Sequence, residues 1–262
     1  MNARKTVSLL AIPLLLAASL QGADRIREGA VRLADEPGRL CGTPVIAGKE
    51  ARLLENTRLL QPQLPATLAK PGGTAHEVGD TLSFYTIDFA TSSYSSIKAV
   101  CKKKTSHSYI FVGTEDLDEG RVTVEDVDGF YTAFETATPP ASLDPARGIY
   151  DLVTSIFGAP PDRFNEKAVY ILIHDIKDSY NPDLGKRVYI AGYFSPTDQT
   201  TGSYSNRKNL INVDCYPQNP AGDGALATVA HEFQHLIHNG LDADEDTNGL
   251  WVDEGASEYS EV

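Results

Sequence analysis

The segment from Leu226 to His238 constrains the fold more than any other part of the chain. Its apolar residues recur at helical spacing and lie on one side of a helix, whereas His231 and His235 lie together on the other side, about 40° apart. A loop rich in Pro and Gly precedes the segment, and Asn239-Gly240 follows it as a predicted helix end. The sequence therefore predicts a helix that buries one face and presents two imidazoles from the other.

Two histidines four residues apart on a helix can each give one ring nitrogen to the same Zn²⁺ ion. Glu232 lies about 100° further round, which suits a general base better than a ligand. Zinc needs a third protein ligand, and Glu254 and His238 are the candidates. His238 lies two turns from His231, so one tetrahedral ion could not easily bind all three histidines. A solvated helix with two incidental histidines is the alternative interpretation.

The pattern His231-Glu232-x-x-His235 with a later Glu254 resembles the gluzincin zinc metallopeptidases. A longer set of segments resembles the hyicolysin-like (M30) secreted bacterial peptidases, over roughly residues 76–262: Tyr189–Phe194, Ser205–Arg207, Val229–Ile237 and Trp251–Tyr259. The resemblance implies that His231, His235 and Glu254 bind zinc and that Glu232 is the catalytic base. It also implies that Glu258, where Asp is more usual, hydrogen-bonds a zinc-bound histidine.

The remaining patterns predict an α+β fold of the zincin type, with a mixed twisted sheet, a backing helix and the active-site helix. Residues 144–157 have the apolar spacing of the backing helix, and five segments have strand patterns: 80–87, 96–100, 108–112, 168–173 and 188–194. Residues 210–214 alternate as an edge strand, where Leu210, Ile211, Asn212 and Val213 would pair with an extended substrate. Because the chain ends soon after Glu254, we expect the C-terminal part of the catalytic domain to be missing or cut short.

The N-terminus has the pattern of an export signal. Residues 1–22 combine Arg4 and Lys5, an apolar run and small residues, which is typical of a cleaved signal peptide and predicts a secreted, periplasmic or cell-surface protein. Residues 23–75 are typical of a leader or propeptide, and the catalytic domain is predicted to cover residues 76–262. Export permits disulfides, and the three cysteines allow at most one, with a buried thiol left over.

The charge balance excludes some classes of partner. Asp and Glu number 36 against 23 Lys and Arg, and the net charge is −13. We therefore expect no nucleic-acid binding and no stable membrane insertion once the signal peptide is removed. The acidic run Asp242–Gly249 alternates carboxylates as a Ca²⁺-binding loop does, but it lacks the EF-hand pattern. A calcium site and a solvated acidic loop both stay open there.

Together these patterns predict an exported zinc metalloendopeptidase that acts on polypeptides. Two alternatives stay open. The first is a catalytically impaired zinc-binding surface or adhesion protein of the same fold. The second is a zinc hydrolase with a substrate other than a peptide.

Overall fold

The computed structural model describes residues 37–68, 75–241 and 250–261. The predicted signal peptide, residues 1–22, and the acidic run 242–249 lie outside the described residues. Arg39–Val262 form one structural unit, and the fold described below is that of this unit. None of the described helices combines the length and apolar composition that a membrane-crossing helix needs.

The described residues form strands and helices in mixed order. They are β1 (Gly38–Cys41), α1 (Thr43–Ile46), α2 (Glu50–Leu60), β2 (Thr81–Asp88), β3 (Ser93–Lys104), β4 (Ser108–Gly113), α3 (Thr114–Asp118), α4 (Val124–Glu135), α5 (Ile149–Phe157), β5 (Val169–His174), β6 (Val188–Phe194), β7 (Asn209–Asp214), α6 (Asp223–Leu241) and α7 (Leu250–Ser260). The predicted backing helix begins later than expected, at Ile149, directly after Gly148. The predicted strand at residues 188–194 is β6.

The strands form one mixed sheet in the order β1-β6-β7-β5-β4-β3-β2. Strands β2, β3 and β4 are antiparallel neighbours, β4, β5 and β7 run parallel, and β6 is antiparallel to β7. The prediction of an edge strand at residues 210–214 is wrong, because β7 lies inside the sheet between β6 and β5. Leu210, Ile211, Asn212 and Val213 are fully buried and cannot pair with a substrate strand.

Both faces of the sheet are covered, so its central strands are buried on both sides. In β5, Val169, Ile171 and Ile173 pack with helices α4, α5 and α6, whereas Tyr170 and Leu172 pack with the opposite core. Helix α6 packs against the same side of the sheet as α4 and α5. Its core side chains include Val229, Phe233, Leu236 and Ile237. The sheet thus provides a rigid floor beneath the histidine-bearing helix.

Helix α6 ends at Leu241, one residue past the predicted end at Asn239-Gly240. Gly240 is required by packing rather than by a left-handed end. A Cβ atom at this position would lie 2.5 Å from Cγ of Pro161, so only glycine lets the helix approach that loop. The glycine that predicts a helix end from local sequence is therefore explained by a tertiary contact with Pro161.

Part of the leader-like segment 23–75 packs into the same unit as the rest of the fold. Ile46 and Leu53 are buried beside Tyr193 in a second apolar core. The Tyr94 backbone N–H donates to Thr57 Oγ1 at 2.7 Å, which ties α2 to β3. Residues 39–64 are therefore part of the folded unit that contains the sheet, although the sequence pattern is typical of a leader or propeptide.

Candidate metal centre

Helix α6 carries two buried histidines whose rings converge on one point. His231 and His235 are 2% and 1% exposed, and their Nε2 atoms lie 3.1 Å apart. Because the apolar side of α6 is fixed in the core, both rings lie on the other side of the helix, close to α7 and to the end of β1. The structure therefore places these predicted ligand residues together, with Glu232 between them in sequence and fully buried.

Two more donor atoms reach the same point from distant parts of the chain. Glu254 of α7 places Oε2 3.7 Å from His231 Nε2 and Oε1 3.3 Å from His235 Nε2. Cys41, at the end of β1, places Sγ 3.7 Å from His235 Nε2. We call Cys41, His231, His235 and Glu254 the metal-site cluster; their ligand atoms all lie within 4.8 Å of one another.

The spacing of this cluster fits a tetrahedral Zn²⁺ ion. Ordinary zinc bond lengths put two nitrogen ligands about 3.3 Å apart and a nitrogen and a sulfur ligand about 3.6 Å apart. The observed separations of 3.1 to 3.7 Å lie close to these values, on either side of them. Glu254 Oε1 is also buried without a hydrogen-bond partner among the described residues. A buried carboxylate oxygen of this kind is suited to binding a cation.

A second layer of groups orients the two rings. Asp253 Oδ2 lies 2.7 Å from Nδ1 of His235, and its other oxygen lies 2.6 Å from Nδ1 of His238. Glu261 Oε1 lies 2.9 Å from Nδ1 of His231. Such carboxylates fix the ring orientation and raise the basicity of metal-bound histidines.

Glu258 is the residue expected to hydrogen-bond a zinc-bound histidine. In the structure, Glu261 is the residue that pairs with His231. Glu258 is exposed, and a carboxylate oxygen lies within 4.8 Å of His231, whereas Glu261 makes the ion pair. Both residues lie near the end of α7, and the direction in which that helix docks on α6 decides which one meets the ring. Sequence spacing could not fix this docking.

The electrostatics of the cluster favour a cation. Burial disfavours the charge on His231, but the Glu254 and Glu261 carboxylates outweigh it and raise the pKa of His231 to about 10. Burial is likewise outweighed at His235, where Asp253 and Glu232 raise the pKa of the imidazole. Surplus negative charge around two nitrogen donors is the setting in which a divalent metal replaces the protons.

Both oxygens of Glu232 are occupied. Oε1 accepts from the Cys41 thiol at 3.1 Å. Oε2 accepts from the Thr43 hydroxyl at 2.7 Å and from the Phe194 backbone N–H at 3.0 Å. The carboxylate therefore points at the metal-site cluster and is held there by β6 and by the segment after β1.

Sequence reasoning missed three members of this arrangement: Cys41, Asp253 and Glu261. Asp253 adjoins Glu254 in sequence, so its position beside a ligand was a usable signal. Glu261 shares the acidic spacing of α7 with Glu254 and Glu258, which drew attention to the helix but not to the partner. Nothing local marked Cys41, which lies 194 positions from His235.

A large cavity lies elsewhere in the described residues. It measures about 890 Å³ and is lined on the opposite side of the sheet from α6 by residues that include His76, Phe84, Glu166, Asn206 and Lys208. These side chains are not among the described groups whose donor atoms converge as metal ligands do. We therefore place the chemistry at the metal-site cluster.

Comparison with known proteins gives one informative relative. The chain is 26% identical over 195 residues to the neutral metalloprotease ShpI of Staphylococcus hyicus, and the match covers 71% of this chain and 40% of that protein. No family model matches the chain. The chain thus spans less than half of its relative, and it is distantly related to a metalloprotease.

Proposed function

We propose that this chain is an exported zinc metalloendopeptidase of the gluzincin type, similar to the hyicolysin-like peptidases, with a zincin-type catalytic domain. The observation that carries the proposal is the convergence of His231, His235 and Glu254 beside a buried Glu232. The distant relationship to a metalloprotease supports the same chemistry. A polypeptide is the substrate that this class of site would cleave.

The donor set favours zinc over the other common metals. Imidazole nitrogens with a carboxylate in a tetrahedral arrangement suit Zn²⁺, whereas Ca²⁺ and Mg²⁺ prefer six or more oxygen ligands. His231, His235 and Glu254 would hold the ion, with Asp253 and Glu261 fixing the two rings. Bound there, zinc acts as a Lewis acid that acidifies a water molecule and polarises a carbonyl oxygen.

Glu232 would carry the proton during hydrolysis. One carboxylate oxygen takes a proton from the attacking water and returns it to the nitrogen of the leaving amine. The Phe194 N–H on Oε2 holds the carboxylate in place, so the other oxygen, Oε1, faces the reacting centre. Burial of Glu232 excludes bulk water from this exchange.

The test compares wild-type protein with Glu232→Gln, a replacement of the same shape that cannot take the proton. We expect both proteins to bind one zinc ion, and only the wild type to degrade unfolded casein in a reaction that a chelator blocks and zinc restores. We expect the variant to lose at least about a hundredfold in rate, the lower range for general base catalysis. Metal content is measured by elemental analysis and cleavage by gel electrophoresis.

Each alternative has its own outcome in this experiment. Zinc binding without any cleavage, unchanged by Glu232→Gln, would favour an impaired binding or adhesion protein. Zinc-dependent hydrolysis of a small ester without cleavage of casein would favour a hydrolase with another substrate. Full activity in the variant at normal zinc content would overturn the role of Glu232.

A further inference from the structure

The segment from Arg39 to Thr43 crosses the metal-site cluster. Its Cys41 Sγ lies 3.7 Å from His235 Nε2 and within 4.8 Å of the ligand atoms of His231 and Glu254. A catalytic zinc site needs three protein ligands and one open position. Here Cys41 Sγ is a fourth protein donor, and it lies close enough to the other three ligand atoms to take the position that would otherwise be open.

The same segment also occupies the proposed base. The Cys41 thiol bonds to one oxygen of Glu232 and the Thr43 hydroxyl bonds to the other. The Cys41 thiol therefore competes with a water molecule for Oε1, the oxygen proposed to take the proton. Two neighbouring side chains thus block two separate components of the proposed chemistry.

The backbone of the segment covers the sheet edge beside the cluster. Strand β1 lies next to β6, and the Gly42 N–H donates to the Gly192 carbonyl at 2.8 Å. Extended peptides commonly bind by adding a strand to such an edge. Without β1, β6 would be the exposed edge nearest the metal-site cluster, so β1 lies where a substrate strand would pair.

The segment Arg39–Thr43 packs tightly against its neighbours. A Cβ atom on Gly42 would lie 2.7 Å from the Phe89 ring and 2.9 Å from Ile190 Cγ2, so only glycine fits flush against this surface. The Arg39 guanidinium donates to the Gly224 carbonyl at 2.7 Å and to Glu261 at 2.8 Å. The position of Cys41 is therefore fixed on both sides of the thiol.

We propose that Cys41 is a fourth protein ligand of the metal and that Arg39–Thr43 acts as an internal inhibitor, which rests on the proposed zinc-peptidase function. On coordination the thiol gives up its proton, and the sulfur–hydrogen bond is replaced by a sulfur–metal bond. Glu232 Oε1, at 3.1 Å, is placed to accept that proton and to return it when the sulfur leaves the metal. The enzyme becomes active when the thiol leaves the metal.

Zinc K-edge X-ray absorption on the zinc-loaded full chain tests the ligand directly. We expect one sulfur at about 2.3 Å in the wild type and only nitrogen and oxygen ligands in Cys41→Ala. Cys101→Ala is the matched control, because Cys101 is a buried thiol on β3 and belongs to the opposite core. It should retain the sulfur signal.

Two further readouts separate inhibition from a merely structural thiol. Cys41→Ala should retain zinc and degrade casein at least about tenfold faster than the wild type, since the open state is no longer the minor one. In wild-type protein loaded with Co²⁺, the Cys41 sulfur should give a thiolate-to-cobalt charge-transfer absorption band in the near ultraviolet, which nitrogen and oxygen ligands do not give. This second measurement needs no variant to fold.

The outcomes distinguish the two proposals. A zinc shell without sulfur, or equal casein cleavage by zinc-loaded wild type and Cys41→Ala, would overturn the inhibitory role of Cys41 and leave the peptidase function standing. Failure of every form to bind zinc would overturn the peptidase proposal itself. So would a Cys41→Ala protein that binds zinc but shows no cleavage dependent on Glu232.

Discussion

Two buried clusters in this molecule contain the same kinds of residue and differ in what surrounds them. The first is the metal-site cluster. The second, which we call the strand-end cluster, lies at the ends of β5 and β7 and at α3, and contains Asp116, His174, Asn212, Asp214 and Cys215. In both, histidine, carboxylate and thiol groups lie close together; the histidines are buried, whereas Cys41 and Glu254 are half-buried.

In the strand-end cluster, fixed protein donors satisfy the Asp214 carboxylate, although Asn212 Nδ2 is buried without a hydrogen-bond partner among the described residues. Asp214 accepts from the backbone N–H groups of Ile176 and Tyr216 at 3.0 and 3.1 Å. His174 Nε2 lies 3.2 Å from Asn212 Oδ1, and burial lowers the pKa of its imidazole. In the metal-site cluster the donor atoms instead face one another, and the histidine pKa values are raised. The contrast shows that convergence and unmatched charge, rather than residue type, mark a cation site.

The largest expected effect separates the two clusters by metal binding. His235→Ala removes a proposed ligand and should weaken zinc affinity by more than about a hundredfold, beyond the loss from a supporting residue. His174→Ala should leave zinc affinity unchanged but lower the free energy of unfolding by about 2 to 4 kcal/mol, because it leaves a cavity and an unpaired amide. Zinc titration and denaturant unfolding measure the two effects. Loss of zinc from His174→Ala would remove the distinction.

A smaller effect sharpens the assignment of the supporting carboxylate. Glu261→Gln should weaken zinc affinity roughly tenfold to a hundredfold, because Glu261 orients the His231 ring. Glu258→Gln is the matched control three residues earlier, in the last turn of α7, and should bind zinc as the wild type does. Competition with a chelating dye measures both affinities. Equal losses in the two variants would show that the charge of α7, rather than the ion pair, supports the site.

The smallest effect concerns the pH dependence of the strand-end cluster. Burial raises the pKa of Asp214 to about 8, whereas the unfolded chain has a pKa of about 3.9. The folded state therefore holds the proton more tightly, and stability from this group is present below about pH 4 and is lost as the pH rises towards 8. Between about pH 6 and 7 the wild type should lose roughly 1 kcal/mol that Asp214→Asn does not lose. Urea unfolding at several pH values measures this, and parallel curves would contradict it.

The comparison of prediction with structure is clearest at β7. The alternation in Leu210-Ile211-Asn212-Val213-Asp214 predicts an edge strand. In the structure Asn212 lies beside His174, and Asp214 accepts backbone N–H groups, so its polar side chains face buried partners rather than water. A period of two reports which side chains share a face but not whether that face is solvated.

The arrangement of His231, Glu232 and His235 was determined by the sequence alone, because helical pitch is local and an apolar face fixes which side turns outward. Tertiary structure alone decided that Cys41 and Thr43 reach Glu232, that Glu261 rather than Glu258 meets His231, and that β1 covers the edge beside β6. These contacts join segments roughly 30 to 190 positions apart. Such pairs meet only through the docking of whole elements on the sheet, which no local spacing encodes.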